Sequence, residues 1–502
     1  MRQNTFPSHA DVVIAGGGPA GATIARLLAG FGYDIVLLEK RQFPRHQIGE
    51  SLTPQILPLL DFLGVRQQVE AAGFLRMIGH TVCWGNTQPR TAYYSPDHSR
   101  YGFQAWRADF DTLLLAHARA AGVQVYEGCA VESVRVDAHT SVSVSTRLGT
   151  IETKFFIDAS GHAGILARQN LRQRDDTYKT LALTGYWQNA TGPSGADFAN
   201  TLLETYGDGL AWSAPLHNGL RNVTLLTDWQ AGTKIRRTGL PEFYRAELQQ
   251  APYISAFLAS AHLFHPPQVF DATWYTASDF AGGCFLLVGD AGLFIDPLSS
   301  EGVHKAMASA ITGAIVTNTI LKRPTMTPHA IRFYNESQQS TYESHYTQSA
   351  QYYQEEQRWL DHPFWRIRTF REVQSPGSRV QSPKSSSIRN PQSAIPNPQR
   401  ISSLRIAPEV TIEPRPVIEG TFVELRDVVV APRYPRGVRF LLNVNVPRLL
   451  TIVARHSAVA EVITTYLALS QAEQTPPESV RQVLARLYQE GILVSSNPTA
   501  TA

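Results

Sequence analysis

The sequence is short of cysteine, of net charge and of long apolar runs, and each shortage removes a class of function. Its three cysteines, Cys83, Cys129 and Cys284, stand far apart and form neither a CxxC pair nor a metal-ligand spacing. Free thiols in a reducing, cytoplasmic setting are expected, with no disulfide framework and no metal site. A net charge of +3 over 502 residues leaves no basic footprint for nucleic acid. The longest apolar stretch, 306–321, is broken by Ser309, Thr312, Thr317 and Asn318, too short and too polar to span a membrane. Residues 1–10 carry no apolar core of a secretory signal. What remains is ordinary globular composition in a chain long enough for two or three structural units.

Three regions follow from the pattern. Residues 8–371 alternate strand and helix signals. Residues 372–403 are rich in Pro and Ser, repeat Asn-Pro-Gln and lack apolar periodicity, so they read as a linker. Structure resumes over 404–495. Strands are expected at 421–425 and 427–430 and helices at 447–454, 458–469 and 478–490, the last with Val480, Val483, Leu484 and Leu487 on one face. Gly491 ends that helix and a short strand follows, an order that resembles a small winged-helix module.

The most specific pattern is Val12-Val-Ile-Ala-Gly16-Gly17-Gly18-Pro-Ala-Gly21, which follows a β-branched run and opens a helix of small residues. A second strand ends at Glu39. Gly16 permits the tight turn, Gly18 lets backbone approach a pyrophosphate, Gly21 lets helix and strand pack closely, and Glu39 can accept from a ribose. Uncapped N–H groups at the helix start favour phosphate. Two later segments repeat the theme. Arg107 begins a helix, where it either meets a phosphate or hydroxyl-rich linker or lies on the surface. Cys284-Phe-Leu-Leu-Val-Gly289-Asp290-Ala291 is a buried strand ending beside an acid, followed by Asp296-Pro297 and a long helix from His304.

The ordered set Gly16 to Gly21, Ile48-Gly-Glu-Ser51, Arg107…Phe110-Asp111, Ile157-Asp-Ala-Ser-Gly161 and Gly289-Asp-Ala…Asp296-Pro resembles FAD monooxygenases and, more closely, flavin-dependent halogenases over about the first 370 residues. The resemblance implies an α/β fold: a Rossmann-like FAD-binding domain drawn from about 8–85, 101–170 and 270–325, with an inserted, mainly antiparallel substrate sheet at about 172–270. Strands of that sheet are expected at 180–189, 209–216 and 222–229. It further implies FAD held by Gly16, Gly18, Gly21, Glu39, Arg107 and Asp290, with Gly302 and Val303 against the isoalloxazine.

Two departures from the halogenase pattern bear on chemistry. Met77 stands where that family has its lysine, and a thioether has no basic nitrogen and is itself oxidisable. Arg76 is adjacent, but on a strand it points to the other face. Glu301 replaces a small Ser or Thr before Gly302, and a carboxylate there opposes a halide. The Trp-x-Trp-x-Ile-Pro signature is reduced to Trp212-Ser-Ala-Pro215. The reading that follows is a monooxygenase that activates dioxygen as a flavin hydroperoxide and hydroxylates an aromatic substrate, with indole or a peptide-borne Trp in view. Glu301 and His304 are candidates for proton work, and Trp212 and Trp84 for pocket walls; helix-start charge pairing and core packing are the plainer roles for these residues. Electrons come from NAD(P)H or a separate flavin reductase; the chain shows no second nucleotide fingerprint, and single-component hydroxylases lack one as well, so the pattern does not choose between the two. Halogenation, an FAD-dependent reductase or dehydrogenase activity, and a non-enzymatic flavin-binding role are the alternatives. The Ser299-Ser-Glu-Gly-Val-His-Lys-Ala306 run and the C-terminal module also resemble flavoproteins that oxidise peptidyl Trp.

Overall fold

The computed structural model describes residues 6–86, 88–137, 141–174, 179–369, 403–470 and 475–496. The chain divides into two compact units, 1–376 and 377–502. All of the expected linker 372–403 except Ser403 lies outside the described residues.

The β-branched run at Val12–Ile14 is fully buried and forms the middle of a seven-stranded sheet. His9–Ala15 pairs in parallel with Ile35–Glu39 on one side and Gly149–Asp158 on the other. Gln124–Glu127 extends the first side, Ser141–Thr146 and Val131–Asp137 the second, and Phe285–Leu287 joins Gly149–Asp158 in parallel. Strands buried on both faces read as continuous apolar runs, as here. The helix Pro19–Gly30 packs against Gly302–Lys322, where small residues allow close approach. A Cβ on Gly313 would fall 3.2 Å from Ile24 Cδ1 and 2.6 Å from Leu286 Cδ2.

The second sheet has eight strands. The expected strands appear as Thr180–Gln188, Gly209–Pro215 and Leu220–Asp228, paired antiparallel. Thr201–Tyr206 adds a strand that the sequence pattern did not announce, because all six residues are buried and no alternation marks it. Gly79–Cys83 and Arg90–Tyr93 also belong here, the former parallel to Thr201–Tyr206. That corrects the assignment of residues up to 85 to the nucleotide lobe. Backbone contact explains it: a Cβ at Gly79 would sit 2.3 Å from the Ala92 carbonyl oxygen. One face of the sheet carries Leu183, Val223 and Leu225 under three short helices. The other carries Ala182, Leu203, Leu210 and Leu226 against Trp84, Tyr353, Phe364 and Trp365.

In the second unit Thr411–Glu419 and Phe422–Ala431 form a long hairpin, extended by Tyr434–Val438. Pro414 and Pro416 hid the first of these strands; among the described residues it pairs on one side, so its missing N–H groups are tolerated. Helices Val446–Val453, Val459–Leu469 and Pro477–Gln489 pack through Leu449, Val462, Tyr466, Val480 and Leu487, and Leu493–Ser495 pairs with Leu404–Ile406. Among the described residues no helix is long and apolar enough to cross a membrane, and no group of His, Cys, Asp and Glu could hold a metal.

Candidate active site

The glycine turn is built as a cradle. Gly16 has φ +105°, and a Cβ there would lie 2.3 Å from the Ala159 carbonyl oxygen; one on Gly21 would lie 1.9 Å from Gly16 O. Gly18 precedes the Pro19–Gly30 helix with no side-chain cap, and a Cβ on it would meet only the far end of Arg45 at 3.1 Å. Glu39 is buried at the end of its strand and accepts from Gly17 N at 2.8 Å and Arg41 N at 2.9 Å. Its carboxylate is therefore fixed beside the turn.

Arg107 starts the Arg107–Ala120 helix and forks onto Asp111, Nε to Oδ1 at 2.9 Å and Nη2 to Oδ2 at 3.1 Å. Its third arm donates to Ile48 O at 2.7 Å. Burial alone would lower its pKa, but the charges of Asp111, Glu50 and Asp290 outweigh burial and raise it. Arg107 and Asp290 thus share one electrostatic neighbourhood although 183 positions separate them. Arg45, which sequence reasoning missed, lies 3.3 Å from Asp111 and 3.9 Å from Glu39. The Ile48–Ser51 motif works as a strap. Ile48 takes Arg107, the Glu50 carbonyl accepts from Ala105 N at 2.8 Å, and the buried Glu50 carboxylate accepts from Tyr186 OH. Burial pushes that carboxyl up.

On the opposite side Gly289 has φ +60° and backs onto Ala20 and Ala306. Asp290 accepts from Lys305 Nζ at 2.7 Å, and the Lys305 side chain is almost wholly buried. Lys305 also donates to Leu293 O, tying the loop to the helix. Asp296 caps its own turn through Leu298 N at 3.0 Å and receives Tyr353 OH at 2.8 Å. Gly302 opens on space, with nothing within 4 Å of a Cβ, while Val303 is buried. An uncapped helix start at the first glycine turn, the Glu39 carboxylate fixed beside it and open space at Gly302 are compatible with FAD, whose nucleotide half the Gly16–Glu39 turn would hold.

Glu301 and His304, paired in the sequence reading, meet at 2.9 Å. Thr53 donates to the other Glu301 oxygen at 3.1 Å. Burial pushes the Glu301 carboxyl up, but His304 and Thr53 together hold it below its ordinary value. His345, on the Thr327–Glu355 helix, lies close enough to feel Lys305, Glu301 and His304, and burial lowers its pKa. Tyr94 is pushed up to about 12 by burial and by Glu301. Met77 is buried while Arg76 points outward, as alternation requires. The Met77 sulfur accepts from Thr201 Oγ1 at 3.0 Å, Gln104 Nε2 at 3.2 Å and Tyr94 OH at 3.7 Å.

Trp212 is partly buried and packs in the aromatic cluster that includes Phe294 and Leu298 of the Asp290–Glu301 loop. Trp84 is core instead. Its indole donates to Tyr352 O at 3.1 Å and its ring meets Trp365 edge-on, which corrects its expected place in a pocket wall. Thr53, Tyr94, Lys305 and His345 were not singled out from sequence. Only Lys305 carried a signal, at i+4 from Glu301 on the first turn of a helix already suspected.

A family model described as FAD binding domain matches residues 9–314. The Tryptophan 2-halogenase of Chondromyces crocatus is 36% identical over 353 residues, 68% of this chain and 66% of that protein. The chain therefore spans about two thirds of that relative's length. Among solved structures, CmlS, a flavin-dependent halogenase, is similar with a TM-score of 0.79 at 24% identity, over 99% of this chain and 98% of that one. The peptidyl tryptophan dihydroxylase QhpG gives 0.69 at 23% identity, over 96% and 99%. At these identities the two structures speak for the fold.

Proposed function

We propose that this chain, which belongs to the FAD binding domain family and is an FAD-dependent oxidoreductase related to the flavin-dependent halogenases, hydroxylates an electron-rich aromatic substrate. The observation that carries this reading is the Glu301 carboxylate, held between Thr53 at 3.1 Å and His304 at 2.9 Å immediately before Gly302. An ionised carboxylate repels a halide at that position and serves as a base there.

Bound FAD supplies the capacity to take up electrons and pass them to dioxygen. The chain's own residues do the rest. Gly16, Gly18, Gly21 and Glu39 hold the nucleotide half, and Arg107 and Asp290 hold the linker between the halves. Trp212 gives a planar substrate an aromatic wall. Glu301 accepts the proton that leaves the substrate, His304 takes it at Nδ1 and releases it from its other ring nitrogen, and Tyr94 stays protonated at neutral pH as a donor. Met77 offers neither an amine nor an exchangeable proton. Electrons are supplied by NAD(P)H or by a separate flavin reductase, and the substrate is a small arene or a peptide-borne indole.

A second reading, halogenation, is favoured by the name of the relative at 36% identity. One experiment separates the two. FAD-loaded protein is given a reductant, air, bromide and chloride, with indole, phenol and Trp-peptide substrates, and the products are weighed. Gain of one oxygen atom supports hydroxylation. A bromine isotope doublet would overturn it in favour of halogenation.

A further inference from the structure

We propose that Met77 is a self-oxidation site, at which hydrogen peroxide released in the chamber by reoxidising flavin converts the thioether to the sulfoxide. The proposal rests on the oxygen-activating reading above and adds a site to it.

A thioether is a weak acceptor, and a buried Met ordinarily lies among apolar groups. Around Met77, at 1% exposure, the surroundings are polar. Thr201, Gln104 and Tyr94 all direct donors at the sulfur, at 3.0, 3.2 and 3.7 Å. The first two belong to a buried set. Ser51 Oγ donates to Gln104 Oε1 at 2.8 Å and lies 3.0 Å from Thr201 Oγ1, and Gln104 Nε2 also donates to Ala199 O at 3.0 Å. The donors that sulfur uses poorly match the oxygen of a sulfoxide, a strong and strongly dipolar acceptor. They lower the nucleophilicity of the resting sulfur slightly, but the same hydrogens stabilise the departing hydroxide, on which negative charge develops, and then the dipolar oxygen of the sulfoxide. Tyr94, partly exposed, is the member of the cage that can yield to the added atom. Ser51, which joins this set, stands two residues before Thr53, whose hydroxyl donates to Glu301 at 3.1 Å, so one short segment, 51–53, touches both the cage and the residue that precedes Gly302.

The step balances. A sulfur lone pair attacks one peroxide oxygen, the O–O bond breaks, and the departing hydroxide takes the proton from the S–OH group to leave as water. Sulfur loses two electrons and the peroxide gains them.

The test uses the FAD-loaded protein without substrate. Bound flavin is photoreduced anaerobically and reoxidised by air through several cycles with catalase present, so that peroxide in bulk solution is destroyed. Trypsin cuts after Arg76 and releases a peptide that begins at Met77. Fragmentation distinguishes Met77 from Cys83 and Trp84 in the same peptide. The expected result is one added oxygen on Met77, about tenfold above the level on the partly exposed Met326, and removed by methionine sulfoxide reductases. Peroxide added to flavin-free protein is expected to reverse that order. Met77→Leu, a change of nearly equal volume, removes the signal from the peptide. Flavin that reoxidises normally while Met77 gains no more oxygen than Met326 overturns the proposal and leaves the oxygenase reading standing. Bound flavin that does not reoxidise in air overturns both.

Discussion

Replacing Arg107 by Met removes a guanidinium that ties Asp111 to the Ile48–Ser51 strap and that we propose also holds the cofactor, and the two roles separate in a double mutant. Arg107 and Asp111 are buried, at 8% and 0% side-chain exposure, and joined by two hydrogen bonds of 2.9 and 3.1 Å. Breaking one partner of such a pair costs about 3–5 kcal/mol, because the other charge is left buried. Arg45, 3.3 Å from Asp111, remains and holds the loss near the lower end, about 3 kcal/mol. In a unit that spans residues 1–376 that lowers the melting temperature by about 4 °C. The Ile48–Ser51 strap loses its anchor as well. Arg107→Met/Asp111→Asn removes both charges, so most of the stability returns. FAD affinity, measured by titrating flavin fluorescence, is expected to stay low in the single and the double mutant. Calorimetry of the flavin-free proteins reads the first effect and the titration reads the second. A single mutant that melts within a degree of the parent would refute the electrostatic reasoning. A double mutant that regains full flavin affinity would show that Arg107 serves the fold alone.

Glu356 accepts from Thr205, Gly85 N and Arg358; burial opposes ionisation, yet these partners hold its carboxyl at about 2 instead of 4.5. At about 1.4 kcal/mol per pH unit this contributes roughly 3 kcal/mol, fully present above pH 4.5 and lost as the pH falls toward 2. Glu356→Gln is expected to flatten that part of an acid-unfolding curve followed by Trp fluorescence; an unchanged slope would count against the network. Glu39→Arg should lose the acceptor at Gly17 N and shed FAD on gel filtration, and an undiminished flavin-to-protein absorbance ratio would contradict the cradle. Met77→Lys alone should yield no chlorinated product. Glu301 repels an anion about 4 Å away by about 4 kcal/mol at an effective dielectric near 20, less what His304 offsets. Appreciable chlorination by that single mutant would show that Glu301 turns away from the anion.

The glycine turn proposed to cradle the cofactor was legible in the chain because its backbone dictates residue identity. A φ of +105° against the Ala159 carbonyl admits Gly16 and little else, and parallel pairing brings the strand that ends at Glu39 beside the turn. The chamber was half legible. Glu301 and His304 were visible because they stand three apart at a helix start, whereas His345 and Thr53 arrive from distant segments through tertiary packing that no local period records. Trp84 misled because an aromatic next to a glycine reads equally as wall or core, and the decision lay with Trp365 and Tyr353, nearly three hundred residues away. Thr201–Tyr206 escaped because burial on both faces erases alternation.

Two carboxylates in this unit, Glu50 buried and Glu301 half-buried, are driven in opposite directions, and the contrast bears on which of them works as the base. Burial keeps the Glu50 carboxyl above its ordinary value although Tyr186, the Gly49 N–H and Arg107 all pull it down, so it holds a proton more readily than a free glutamate while it pins the strap to Tyr186. Glu301, with an imidazole and a hydroxyl to stabilise its charge, is disposed to accept one. Environments that pull paired acids apart assign their roles. The fold itself does not choose among chemistries, since proteins named as a halogenase and as a tryptophan dihydroxylase share it. In the reading proposed above the choice falls to Glu301, beside Gly302, and to Met77, a carboxylate and a thioether where the halogenase pattern has a small hydroxyl residue and a lysine. Exchanging both Glu301 and Met77, with the flavin cradle untouched, is therefore the smallest change expected to convert the outcome of oxygen activation.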